Sequence, residues 1–170
     1  MKKVIYTILL ILWMIMMFMF SAQTGTVSDK TSGGITGAIT QVVQNVFNIE
    51  SSQTEQLYKT ISKIVRKTAH FTAYALGGIL AYCTYNSYKK IKLEDLKYIV
   101  IFMILYAISD EIHQYFVPGR SAEIRDVLID VLGANIGILI INKIFLKLGG
   151  KNEYKNEHTI LSTRCWRRRN

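Results

Sequence analysis

SDEIHQYFVPGRSAEIRDVLID, residues 109–130, is the stretch whose reading decides the fold. It holds five of the chain's twelve acidic residues: Asp110, Glu111, Glu123, Asp126 and Asp130. The segments on either side are strongly apolar: YIVIFMILYAI (98–108) before it and VLGANIGILIINKIFL (131–146) after it. Two apolar helices joined by a short charged connection are the natural reading. Pro118-Gly119 supplies residues suited to a tight turn that folds Arg120 back toward the helix ends.

Working outward, two more apolar runs lie upstream, at residues 4–20 and 68–85. With 96–112 and 127–146 they make four segments, each close to the ~20 residues that cross a hydrocarbon core about 30 Å thick. Half the residues are hydrophobic and only 19% are charged, against about 25% in a typical soluble domain. A small soluble bundle needs polar outer faces, and four such runs leave too few. The first run, preceded by Lys2 and Lys3, also resembles a secretory signal. It exceeds the usual ~7–15-residue core, however, and Ser21-Ala22-Gln23 is a poor cleavage site, so a retained transmembrane helix is expected.

The formal net charge of +9 could suggest nucleic acid. The basic residues form no aromatic-interleaved stripe, so no nucleic-acid partner is expected. They flank apolar runs instead: Lys2 and Lys3, then Lys89, Lys90 and Lys92, then Lys147 and the tail to Arg169. With four spans these groups share one side, which the positive-inside rule makes the cytoplasm. The expected localisation is the cell membrane, multi-pass, with both termini cytoplasmic. Against this, the outer loop carries Lys30, Lys59, Lys63, Arg66 and Lys67.

That loop is itself patterned. Ile35, Ile39, Val42, Val43, Val46 and Phe47 recur at helical spacing. Ser52-x-x-Glu55 reads as a capping box opening a second amphipathic helix, with Leu57, Ile61, Ile64 and Val65 on one stripe, able to run directly into the second span. Both segments are expected against the membrane surface or over the bundle. The expected fold is therefore all-α: a four-transmembrane-helix bundle with an outer amphipathic helical loop between helices 1 and 2. Residues 1–148 form the transmembrane domain and 149–170 a basic, disordered cytoplasmic tail. Cys83 and Cys165 show neither metal spacing nor a disulfide framework; a buried filler and a passive tail thiol are expected.

In this topology the polar ends of three helices meet on the outer side. Lys67, His70 and Tyr74 share one helical face, as do Asp110 and Gln114, with Glu111 one position round. Asp126 and Asp130 are four apart on the stripe that continues through Gly133 and Gly137, a G-x-x-x-G pair permitting close helix packing. Carboxylates in a bilayer normally face protein and pair with cations. Lys67, His70, Arg120 and Arg125 are the available partners. The cluster is either a structural salt-bridge network or a polar pocket; His113 reads as an interfacial histidine and Glu123 as a solvated loop charge.

Three pieces, FSAQTG (20–25), RKTAHFTAYALGG (66–78) and SDEIHQYFVPGRSAEIRDVLIDVLGANIG (109–137), give the chain a resemblance to the VanZ-like family of small bacterial membrane proteins, over about residues 4–146. The resemblance implies family positions at Gln23, Lys67, His70, Asp110, Glu111, Gln114, Arg120, Asp126 and Asp130. It departs at Ala73, where many relatives carry glutamate, and at Asp130, where another branch has asparagine. The family takes its name from a member linked to lowered sensitivity to teicoplanin, a lipid-tailed glycopeptide.

Three functions follow as expectations. In the first, an outer-leaflet polar site interacts with lipid headgroups, lipid-linked wall precursors or a lipoglycopeptide. Lys67 and Arg120 would hold phosphate, Gln23 and Gln114 would hydrogen-bond the head, and Asp130 would complete the site. In the second, an intramembrane hydrolase or transferase uses His70 as general acid or base, oriented by Asp110 or Asp126, with Glu111 in the catalytic group. In the third, the chain is a structural or assembly subunit associating through G-x-x-x-G. A metal at His70, Asp110, Glu111 and Asp126 lacks any ligand motif, so neither metal nor cofactor is expected. The sequence does not state an oligomeric order.

Overall fold

The computed structural model describes residues 1–47, 53–120 and 123–167. It is all-α: α1 (Lys2–Ser21), α2 (Gly25–Phe47), α3 (Thr54–Tyr88), α4 (Leu96–Tyr115) and α5 (Ile124–Arg167), with a 3-10 turn at Leu93–Asp95 before α4. Among the described residues, two helical segments are long and apolar enough to cross a membrane, Lys2–Ser21 and Ile124–Lys147.

The second amphipathic segment and the apolar run at 68–85 are one helix. Nothing between Lys63 and Phe71 breaks helical geometry, so α3 runs 35 residues, about 50 Å at 1.5 Å per residue. Its proposed capping residue Ser52 lies outside the described residues, as do the side chains of the tail, Cys165 among them. Glu55 sits in the first turn, where its charge complements the helix dipole, and pairs with Lys59 at 2.6 Å. The backbone of α5 stays helical past residue 148, through the stretch whose composition reads as a disordered tail.

Helix α3 is the centre, in contact with α1, α2, α4 and α5. It runs parallel to α5, side by side from Lys67 with Asp126 at one end to Tyr82, whose hydroxyl donates to Asn142 at 3.0 Å, at the other. Small residues bring the two backbones together. A Cβ on Gly133 would strike the carbonyl of Phe71, one on Gly137 the carbonyl of Ala75, and one on Gly78 the carbonyl of Ala134. The G-x-x-x-G stripe thus packs within the chain, against α3.

Helix α1 runs antiparallel to α3. Trp13 fills the space left by Gly77. Its indole N–H donates to the Ala73 carbonyl at 3.0 Å, and its ring meets Tyr74 edge-on at 5.5 Å. Around it pack Met17, Tyr74, Met103, Tyr106, Ala107, Ala134 and Ile138. Cys83 is buried and free. Outside this core the surface is apolar: Ile8, Leu12 and Ile15 on α1, Ile101, Leu105 and Ile112 on α4, and Leu128, Leu132 and Leu139 on α5 are all exposed.

The two ends of the bundle differ. At one, Lys3 lies over the Tyr88 ring, and Asp95, buried, accepts from the Lys92 backbone N–H at 3.0 Å, the Lys89 ammonium at 2.9 Å and the Tyr85 hydroxyl at 3.0 Å. These donors, the backbone N–H foremost, hold the Asp95 carboxyl down at about 2. The other end gathers Ser21, Lys67, His70, Asp110, Gln114, Asp126 and Asp130.

Helix α2 packs on α3. Among its described side chains Thr36 and Thr40 are buried, while Ile35, Val42, Val46 and Phe47 are exposed. The stripe thus faces largely away from the bundle, except at Ile35, which also lines a groove between α1, α2 and α3.

Candidate functional site

The site lies where α1 and α4 end, α5 begins and α3 passes through. Its inner layer is built on two buried carboxylates. Asp110 is 1% exposed. Its Oδ2 accepts from the Ser21 hydroxyl at 2.8 Å, the Tyr74 hydroxyl at 3.4 Å and the Gln114 side-chain amide at 3.4 Å. Asp130 is 2% exposed, and its Oδ2 lies 3.6 Å from Nδ1 of His70. That distance is too long for a hydrogen bond and suits an ion pair when the imidazole is protonated. The Oδ1 atoms of both aspartates are buried and have no hydrogen-bond partner.

The outer layer is more open. The Lys67 ammonium donates to Asp126 and, at 3.4 Å, to Glu123. Asp126's carboxylate raises the Lys67 pKa above its ordinary value, with Glu123 adding to the effect. Glu111 points the same way by another route, its Oε1 accepting the Glu123 backbone N–H at 2.7 Å.

Arg120 joins the layers. Gly119, at φ 77°, makes the turn after α4, a left-handed conformation that glycine adopts without strain. The turn aims the guanidinium at the end of α1. Nε donates to the Gln23 carbonyl at 2.9 Å, Nη2 to the Phe20 carbonyl at 3.2 Å, and Nη1 to the Gln114 side-chain carbonyl at 3.0 Å. A cation at a helix C-terminus satisfies carbonyls that the helix cannot.

Two cavities meet here. A polar one of about 180 Å³ is lined by Lys63, Arg66, Lys67, His70, Arg120, Asp126 and Asp130 among others. An apolar one of about 310 Å³ runs between α1, α2 and α3, past Met16, Phe20, Ile35, Val65 and Ala73. Arg66, His70 and Arg120 line both.

The structure thus brings together Lys67, His70, Asp110, Glu111, Gln114, Arg120, Asp126 and Asp130. Gln23 contributes its backbone carbonyl to Arg120 and lines the apolar cavity. Some pairings differ from those expected. Asp110, one of the two carboxylates expected beside His70, is joined there by Asp130, while the other, Asp126, sits one helical turn earlier on α5 and is taken by Lys67. Arg125 is exposed. Glu123 is exposed, as expected of a loop charge, and also lies within reach of Lys67 at 3.4 Å. Ser21, Lys63 and Arg66 also belong to the site, although their spacing alone does not single them out. His113 stacks on Phe18 at 4.1 Å, at the edge of α4.

No curated protein and no solved structure matches the sequence significantly. The sequence model of one family, described as VanZ/LLP1, matches residues 6–146, most of the chain and all the site residues named above. That match and the two long apolar helices point to a membrane protein. The chain belongs to the VanZ/LLP1 family.

Proposed function

We propose that this chain is a four-span membrane protein with cytoplasmic termini, whose outer-side polar cavity takes the anionic head of an amphiphile entering laterally from the bilayer. The observation that carries the reading is the junction of the polar and apolar cavities at Arg66, His70 and Arg120. An amphiphile needs that pairing: a charged chamber for the head, continuous with an apolar groove for the chain. The polar lining offers four fixed cations, Lys63, Arg66, Lys67 and Arg120, against three carboxylates, a balance that favours an anion such as phosphate.

Topology supports the same reading. The lysines near residues 2–3, 89–97 and 143–147 lie at the end opposite the site, which the positive-inside rule makes cytoplasmic. The exposed apolar faces of α1, α4 and α5 suit contact with lipid. Helix α2, with its apolar stripe outward, suits a position in the outer membrane interface. Membrane lipids and lipid-linked envelope precursors present heads of this kind, and an acylated glycopeptide of the teicoplanin type has the required polar head and apolar tail.

A second reading is catalysis on the bound head. His70 faces the polar cavity with Asp130 beside it at 3.6 Å. This arrangement lets the imidazole act as general acid or base while the carboxylate orients it.

Native mass spectrometry of the purified full chain tests the binding reading, with dioleoyl-phosphatidylglycerol and dioleoylglycerol as probes. The phosphate-bearing lipid should bind about tenfold more tightly, a difference of about 1.4 kcal/mol, and Lys63→Gln with Arg66→Gln should remove most of that preference. Equal binding of the two lipids to folded wild-type protein would overturn it.

A further inference from the structure

The inner layer of the site places two buried carboxyl groups beside a single imidazole. Asp110 and Asp130 come from different helices, α4 and α5, and converge on His70 of α3. Each of the three offers one ligand atom, and these atoms all lie within 4.8 Å of one another. The hydrogen bonds at Asp110 go to one oxygen only. The other oxygen, and Oδ1 of Asp130, are buried with no partner. A buried carboxylate oxygen left unsatisfied is costly, and two of them beside one imidazole mark a place for a cation.

We infer that His70, Asp110 and Asp130 bind a divalent metal ion at the floor of the polar cavity. The spacing fits. At metal–ligand distances of about 2.0–2.2 Å, neighbouring donors of a tetrahedral ion lie roughly 3.4 Å apart. The His70–Asp130 pair is already near that spacing, and the Asp110 donor, within 4.8 Å of both, draws in by about 1 Å or less through a side-chain rotation. The 3.6 Å separation of His70 Nδ1 and Asp130 Oδ2, too long for a direct hydrogen bond, suits two ligands sharing one ion.

The donor set selects the class of metal. Hard Ca²⁺ and Mg²⁺ prefer shells of oxygen alone. One imidazole with two carboxylates suits Zn²⁺, a borderline ion, or Mn²⁺, a harder ion that carboxylates favour. Ser21, Tyr74 and Gln114 hold Asp110 from behind, as the outer partners of metal ligands do. Three protein ligands leave at least one position open, and His70 and Asp130 line the polar cavity. A water or a phosphate oxygen would fill that position.

The inference does not depend on the headgroup reading, and its test contains no phospholipid. Full-length protein in detergent is stripped with EDTA, desalted, and titrated with ZnCl₂ or MnCl₂. Metal per chain is read by mass spectrometry of the eluted ion, and the thermal midpoint is followed in parallel. Wild type should take up about one equivalent of ion, and its midpoint should rise by roughly 5–10 °C at a hundredfold excess over Kd. Both effects should vanish in His70→Gln and in Asp130→Asn, and persist in Glu55→Gln, whose carboxylate lies on the far part of α3. A folded wild-type chain that binds neither ion would overturn the proposal, as would retention of the ion by both His70→Gln and Asp130→Asn. Either result would leave the headgroup reading untouched, because that reading is tested separately, by lipid preference.

Discussion

Replacing Arg120 by alanine should destabilise the bundle while leaving its helices intact. The guanidinium makes three hydrogen bonds, to the carbonyls of Phe20 and Gln23 and to the side chain of Gln114. A hydrogen bond from a charged donor is worth about 1.5–3 kcal/mol when desolvated. The Phe20 contact is exposed, and water can reach the end of α1 after truncation, so the total falls well below the sum. The cation at the C-terminus of α1 adds about 0.3–1 kcal/mol. A loss of about 2–4 kcal/mol follows, which for a chain of this size lowers the thermal midpoint by roughly 5–15 °C. The assay is thermal unfolding in detergent of wild type, Arg120→Ala and Arg120→Lys. Lysine keeps the charge but not the three-way fork, so it should recover about half the loss. An alanine variant unfolding within about 2 °C of wild type would refute the role given to Arg120. The same numbers bear on function: loss of lipid binding in this variant is informative only well below its midpoint.

Gly137→Leu should force α3 and α5 apart and cost about 3 kcal/mol or more, because the side chain would meet the Ala75 backbone. Gly34→Leu, where nothing lies within 4 Å, should be neutral or mildly stabilising; thermal midpoints of the two variants check both. Asp95 has its carboxyl pKa depressed to about 2, so its contribution is fully present above the ordinary carboxylate range, near pH 4, and is lost as pH falls toward 2. Asp95→Asn should therefore lower the midpoint at pH 7, and its effect should shrink as pH falls through about 2, read from pH-dependent unfolding. Cysteines at 90 and 39, in a chain lacking Cys83 and Cys165, should react with an impermeant maleimide from the cytoplasmic and outer sides respectively; labelling of position 90 from outside would contradict the topology.

Much of this architecture is legible because helical periodicity states which residues share a face. The Lys67–His70–Tyr74 face, the Asp126–Asp130–Gly133–Gly137 stripe and the Pro118-Gly119 turn all follow from spacing. Periodicity does not state the axial stagger between helices. Asp126 and Asp130 lie one turn apart on one stripe, so which of them meets His70 depends on how far α5 slides along α3. The backbone contacts at Gly133 and Gly137 fix that slide. Ser21 reaches Asp110 across 89 positions of sequence, and no local pattern marks such a pair. On α2 the apolar stripe was visible, but a stripe in a membrane protein turns toward lipid as readily as toward protein, and Thr36 and Thr40 take the inner face.

An experimental structure of the full chain in phosphatidylglycerol nanodiscs tests the headgroup site most directly. The account predicts elongated density with its head beside Lys67, His70 and Arg120 and its tail along Met16, Ile35 and Val65, where the two cavities join. A sealed junction between α1 and α3, with Asp110 and Asp130 in a dry, closed cluster, would contradict it.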